Sequence, residues 1–211
     1  MRIASVAVND FSHLDSYWKC EGVVINSPEE LQKDDILLMH GGGDISPSYY
    51  NQGLHPKSHA SKLPSDVDKR DWAILGKAVD MDLRIFGLCR GAQWLCIKAG
   101  GKLVQHMDGH GNGYHPILLT DEDEVIWSNS SHHQMMYVNS MPGKDREILA
   151  IALSGNKKYS DKFEVFSEDI EAVWFPEIRG FATQGHPEWE KPTSKYVQWC
   201  LEKSEELWDD K

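Results

Sequence analysis

Short apolar runs alternate with polar, acid-led stretches through the first half of the chain. Ile3–Val8, Gly22–Ile25, Asp35–Met39 and Leu83–Phe86 read as strands. Asp35–Met39 is continuously apolar after its first residue, as in a strand covered on both faces. Between these runs the pattern turns helical. Ser27-Pro28-Glu29-Glu30 joins a capping serine to a proline and early acids, and predicts a short helix. Ser65-Asp66-Val67-Asp68 opens another, with Trp72, Ile74, Leu75, Ala78 and Val79 on its apolar face. A third is predicted from Ala92 to about Ala99, stopped by Gly100-Gly101. Phe11–Cys20 has only weak helical spacing, and Tyr49–Pro64 reads as a polar surface excursion.

After His115 the pattern changes. Ile117–Thr120, Val125–Trp127, Glu147–Leu153, Phe163–Phe166, Ala172–Phe175 and Gly180–Thr183 are short strands separated by turns. Leu103-Val104 is a further short strand before them, and one helix closes the chain from Pro192 through Leu207. A βα-alternating half followed by a β-rich half predicts an α/β fold. Its central sheet is mostly parallel and flanked by helices, with antiparallel strands added in the C-terminal half. The 211 residues suffice for one sizeable core, so a single domain over 1–211 is expected.

Composition narrows the function. The formal net charge is −11, from Asp+Glu 33 against Lys+Arg 22, which disfavours sequence-independent binding to nucleic acid. The acids at Glu202, Glu205, Glu206, Asp209 and Asp210 read as a solvated helix face. Cys20, Cys89, Cys96 and Cys200 are widely spaced, without a CxxC pair, which argues against disulfides and structural zinc. The apolar start stops at Asn9-Asp10, too soon for a signal-peptide core, and no run reaches the length of a membrane span. No membrane contact and a reducing cytoplasm are therefore expected.

The chemistry centres on Gly87-Leu88-Cys89-Arg90-Gly91, where a strand runs directly into a helix. This is the cysteine form of the nucleophile elbow. The turn strains the backbone of the central residue, and glycines two positions away let strand and helix approach. The helix N-terminus behind it favours a thiolate. A base is offered by Gln184-Gly185-His186-Pro187-Glu188, in which one turn projects His186 and Glu188 together. A carboxylate there can orient the imidazole and stabilise its cation. His40-Gly41-Gly42-Gly43-Asp44 follows the buried strand and can turn backbone N–H groups toward an anion. The backbone N–H of Arg90, next after the nucleophile, is the expected companion donor. The His-rich stretch Gln105–Tyr114, with His106, His110 and then His115, lacks i,i+4 spacing and a carboxylate or cysteine at ligand spacing. It reads as a loop, and no metal is expected.

These three motifs, in this order, resemble the class I glutamine amidotransferase superfamily. The likeness is greatest to its γ-glutamyl hydrolase branch, peptidase family C26, which includes γ-glutamyl-γ-aminobutyrate hydrolase. Gly-Gly-Gly-Asp followed by Pro47, Asp68-Lys69-Arg70-Asp71, Asn129-Ser130-Ser131-His132-His133-Gln134 and Glu171-Ala172-Val173 carry the branch likeness, from about Leu37 to Trp189. The resemblance implies a flavodoxin-like sheet with its site at the strands' carboxyl ends. It implies Cys89 as nucleophile, His186 as base and then acid, Glu188 as orienter, and Gly42 and Arg90 as oxyanion donors. Gln93, Ser131 and His132 would help hold a glutamyl group. The activity implied is cofactor-free hydrolysis of a γ-glutamyl amide through a γ-glutamyl thioester. A glutaminase subunit passing ammonia from glutamine to a synthase partner is the alternative, and a catalytically silent binding protein of the same fold is a third. Two positions depart from the branch. His40 stands where proline is usual, which removes one restraint on the oxyanion loop, and Gly185 replaces a bulky aromatic residue.

Overall fold

The computed structural model describes residues 2–6, 16–141, 143, 145–153, 157–160, 163–164 and 168–209. Strands β1 (Arg2–Ser5), β2 (Glu21–Val24), β3 (Ile36–Met39) and β4 (Arg84–Leu88) come from the first half. They join β14 (Gly180–Thr183) in the parallel order β2-β1-β3-β4-β14. The sheet continues antiparallel through β13 (Asp169–Phe175), β10 (Glu147–Ala152), β7 (Gly113–Leu119) and β8 (Glu124–Ser130). Among the described residues the long helices are α1 (Asp66–Asp80), α2 (Arg90–Lys98) and α3 (Lys195–Asp209). The expected α/β architecture, with antiparallel strands added from the C-terminal half, is the one observed.

The two faces of the sheet explain the apolar runs. Along β3, Leu37 and Met39 enter the same core as Ile74 and Leu75 of α1 and Trp94 of α2. Their neighbours Ile36 and Leu38 enter the opposite core with Tyr196, Val197 and Trp208 of α3. Side chains alternate across a strand, so a strand with helices on both faces must be apolar at every position.

Several elements differ from the sequence reading. Ser27–Glu30 makes only a single 3-10 turn, Pro28–Glu30, in which the Glu30 carboxylate accepts the N–H groups of Asn26 and Ser27. Helix α2 begins at Arg90, immediately after the elbow, because Cys89 is itself the N-cap. The hairpin of β7 and β8 is longer than the apolar signal, since its outer face is exposed at Tyr114, Val125 and Trp127. The stretch read as a loop from Gln105 holds β6 (His106–Met107), paired with β11 (Lys158–Ser160). Met135–Tyr137 forms β9 against β5 (Lys102–Val104). Parts of the Ile3–Val8, Phe11–Cys20 and Phe163–Phe166 readings, at residues 7–8, 11–15 and 165–166, lie outside the described residues. Among the described residues no helix is long and apolar enough to cross a membrane.

Close approach of β3, β4 and α2 depends on glycine. A Cβ on Gly91 would lie 2.1 Å from the Met39 carbonyl oxygen, and one on Gly87 would lie 2.8 Å from the Gly91 carbonyl. Gly43 has no such neighbour within 4 Å. Gly91→Ala is therefore expected to lower unfolding free energy by at least about 2 kcal/mol. Gly43→Ala should stay within about 0.5 kcal/mol of the parent. Denaturant unfolding of the two variants checks the contrast, and equal effects would contradict it.

Candidate active site

Three strand ends build the site. Cys89 follows β4 with φ 49° and ψ −105°, a conformation that L-residues adopt under strain. Its N–H bonds the Thr183 carbonyl of β14 at 2.8 Å, and its carbonyl accepts the Gln93 N–H at 3.1 Å. The elbow is thus held by the neighbouring strand on one side and by the first turn of α2 on the other. The sulfur lies in a cleft of about 290 Å³ lined by Gly41, Gly42, Cys89, Ser131, His186, Glu188 and Trp189.

His186 stands just beyond β14. Its Nδ1 lies 2.8 Å from Glu188 Oε1, while Cys89 supplies the ring's other hydrogen-bonding contact. Burial works against charge on this imidazole, but the Cys89 and Glu188 contacts outweigh it and push its pKa up to about 9. The other Glu188 oxygen is buried without a hydrogen bond, so the nearby cation is its main compensation. Trp189 stacks flat on the imidazole, with ring centres 3.6 Å apart.

One positioning residue carried no expected role in the sequence reading. Asn129 accepts the His186 N–H at 2.7 Å and donates to the His186 carbonyl at 2.7 Å. A single side-chain amide therefore holds the His186 peptide from both sides. Nothing short of the β8–β14 juxtaposition marks an asparagine 57 residues upstream for that task.

The glycine loop is restrained without a proline. His40 is buried, and its Nε2 lies 2.8 Å from Ser5 Oγ of β1. Burial pulls the His40 pKa down to about 4, with Glu188 opposing and His186 adding to the shift, so His40 is neutral at pH 7. The far end is held by Gln134, whose Oε1 accepts the Ile45 N–H at 2.7 Å. A Cβ on Gly41 would lie 2.6 Å from His186 Cε1, so the imidazole occupies the space a side chain would need. Gly185 is also compelled, since a Cβ there would meet the Tyr196 hydroxyl at 2.3 Å.

Arg90 has two separable parts. Its backbone is the first residue of α2, beside Cys89. Its guanidinium is buried, 2.7 Å from Asp68 and also paired with Asp71, both on α1. Asp71 also binds Arg70 at 2.8 Å. These pairs account for the Asp-Lys-Arg-Asp motif: it ties the start of α1 to the start of α2 under the glycine loop.

The expected glutamyl-holding residues divide. Ser131 lines the cleft. Gln93 is buried behind it and donates to the Gln134 carbonyl at 2.8 Å. The His132 side chain is also buried, with Nδ1 3.0 Å from the same carbonyl and the ring turned toward His110. Their backbone segment reaches the site, but these two side chains are beneath its wall.

The chain matches the model of the family described as Peptidase C26 over residues 24–188. It belongs to the peptidase C26 family. This family lies within the class I glutamine amidotransferase-like superfamily, as the motifs implied. The C26 chain is 28% identical over 180 residues to protein NtpR of Enterococcus hirae, covering 78% of this chain and 72% of that one. It is 26% identical over 130 residues to the carbamoyl phosphate synthase small chain of Pseudomonas syringae pv. tomato. That match covers 61% of this chain but only 31% of the relative, so the chain spans about a third of that protein's length. In fold it is similar to the glutaminase domain of Trypanosoma brucei CTPS, with a TM-score of 0.58 at 13% identity, covering 100% of this chain and 94% of that one.

The geometry makes the His186 charge depend on Glu188. Glu188→Gln removes an anion that favours the imidazolium, so the His186 midpoint should fall from about 9. Histidine side-chain NMR across a pH series reads this directly. An unchanged midpoint would contradict the assignment of Glu188 as the charge partner.

Proposed function

We propose that this C26 protein is a cysteine-dependent hydrolase that cleaves a γ-glutamyl amide through a γ-glutamyl thioester, using a Cys89-His186-Glu188 triad and no cofactor. The supporting observation is a strained elbow cysteine facing an imidazole whose far nitrogen is 2.8 Å from a buried carboxylate. With its pKa pushed up to about 9, His186 rests as an imidazolium at neutral pH beside the Cys89 sulfur, where its charge favours the attacking thiolate.

The thiolate attacks the γ-carbonyl carbon. A carbon–sulfur bond forms and the carbonyl electrons move to oxygen. The N–H groups of Gly42 and Arg90 receive that oxyanion, where loss of one donor would cost on the order of 100-fold in rate. His186 passes its proton to the leaving nitrogen, and the carbon–nitrogen bond breaks. Neutral His186 then takes a proton from water, and the resulting hydroxide attacks the thioester. The carbon–sulfur bond breaks, leaving glutamate and regenerating the ion pair. Ser131 faces the glutamyl group from the cleft wall, while Gln93 and His132 hold the segment that carries it.

The carbamoyl phosphate synthase relative favours a second reading, in which glutamine is the substrate and ammonia passes to a separate synthase. Steady-state assays of glutamine and of γ-glutamyl anilides, with Cys89→Ala as control, separate the readings. The hydrolase reading expects unassisted amine release that falls by at least about 10³-fold in Cys89→Ala. Glutamine turnover that appears only when a synthase is added supports the second. No turnover of either substrate, with no labelling of Cys89 by a glutamine-mimicking electrophile, supports a silent binding protein.

A further inference from the structure

Beneath the Ser131 wall, outside the triad itself, lies a second group of ionisable side chains. His110 follows β6, His115 is on β7, His132 follows β8, and Glu171 is on β13. The side chains of His110, His132 and Glu171 are each no more than 2% exposed, and that of His115 is 14% exposed. His110 Nδ1 lies 3.1 Å from His132 Nε2 and 3.4 Å from Glu171 Oε1. His132 Nε2 is 3.9 Å and His115 Nε2 is 3.1 Å from that same carboxylate oxygen.

Hydrogen-bond roles make this arrangement unusual. His132 Nδ1 faces the Gln134 carbonyl at 3.0 Å, an acceptor only, so Nδ1 carries the proton and Nε2 a lone pair. His110 Nε2 faces Asp169 Oδ2 at 3.3 Å, so a neutral His110 ring carries its proton there and turns the Nδ1 lone pair to His132. The Ser130 hydroxyl is near that Nδ1 at 3.2 Å, but its one proton is also directed at the His110 carbonyl at 3.1 Å. Neither Glu171 oxygen forms a hydrogen bond among the described residues, and the His115 Nε2 also lacks one. The 3.1 Å approach of His115 to Glu171 is therefore close in distance but wrong in angle. Buried lone pairs and carboxylate oxygens turned toward each other repel unless a cation lies among them.

We propose that His110 Nδ1, His132 Nε2 and a Glu171 carboxylate oxygen form a buried site for zinc, with His115 beside the carboxylate. Zinc binds imidazole nitrogen at about 2.0–2.1 Å in a tetrahedron, which sets ligand atoms roughly 3.3 Å apart. The spacings among the three donors, 3.1, 3.4 and 3.9 Å, bracket that value. Asp169 behind His110 and the Gln134 carbonyl behind His132 occupy the outer positions that orient metal-bound imidazoles. Three protein donors leave the fourth position to water, and with all three side chains no more than 2% exposed the ion is closed off from substrate and structural. It ties the loop carrying His110 and the segment carrying His132 to β13, and so braces the cleft wall that carries Ser131. The linear spacing showed no carboxylate near these histidines because Glu171 is contributed by a different strand.

Another group, Asp44, His59 and His133, also brings three ligand atoms together, but nearer the surface. There His133 Nδ1 already has Asp44 at 2.8 Å, and His59 stacks on His133 with ring centres 4.1 Å apart. It serves as the internal control.

The full chain, stripped with a chelator, is reloaded with zinc alone, passed through gel filtration and analysed for bound metal. One retained zinc per chain is expected, and cobalt in its place should show the visible bands of a four-coordinate nitrogen and oxygen site. Asp169→Asn should weaken zinc by roughly 10–100-fold, as for outer-shell partners, and Glu171→Gln by more. His59→Ala should retain zinc fully. Histidine NMR of the parent protein needs no variant: zinc should shift the His110, His115 and His132 rings and leave His59 and His133 in place. Failure of the parent to retain zinc overturns the proposal. So does retention that survives Glu171→Gln and is lost in His59→Ala, or zinc shifts confined to His59 and His133.

Discussion

The strained backbone at Cys89 is the constraint on which the site depends. A residue at φ 49° and ψ −105° reverses the chain within one position and carries strand β4 straight into helix α2. That reversal requires the Gly91 backbone to lie against the Met39 carbonyl, at a distance that excludes any side chain. The same contact brings the end of β3, and so the glycine loop, to Cys89. The bond from the Cys89 N–H to Thr183 aligns the end of β14, and so His186. One local strain, supported on three sides, therefore gathers all three strand ends.

Electrostatics are arranged around that frame by burial. The Arg90 guanidinium sits between Asp68 and Asp71 and joins two helix N-termini whose dipoles would otherwise repel. His40 and His186 are both buried near Glu188, yet one is held neutral and the other charged. The difference is partnership. His40 faces a serine hydroxyl, whereas His186 has a carboxylate on one side and a thiol on the other. A low-dielectric site strengthens such differences, since each charge is poorly screened.

Position along the chain is a poor guide to role here. Asn129, Gln134 and His132 fall within one six-residue motif but act in different places. Asn129 holds the His186 peptide, Gln134 holds the glycine loop, and His132 turns into the buried cluster under the cleft wall. Their common feature is a segment that passes between the catalytic cleft and the core, so alternate side chains face different neighbours.

Much of the site was legible because local chemistry forces its residue types. The elbow needs glycine on both sides of the nucleophile, an orienting carboxylate can share a turn with its histidine, and a buried strand must be apolar throughout. These requirements act over a few residues, so the order of residues alone marked Cys89, His186 and Glu188 as candidates and predicted the parallel core. Contacts among distant strands are another matter. That Asn129 would clamp His186, that Arg90 would bury its side chain between two aspartates, and that Glu171 would face His110, His115 and His132 depended on strand order and register. A one-residue change of register turns every side chain of a strand to the other face. The sequence by itself determined the candidate reacting groups and the turns that present them; only the tertiary structure decided which distant side chains hold those groups in place.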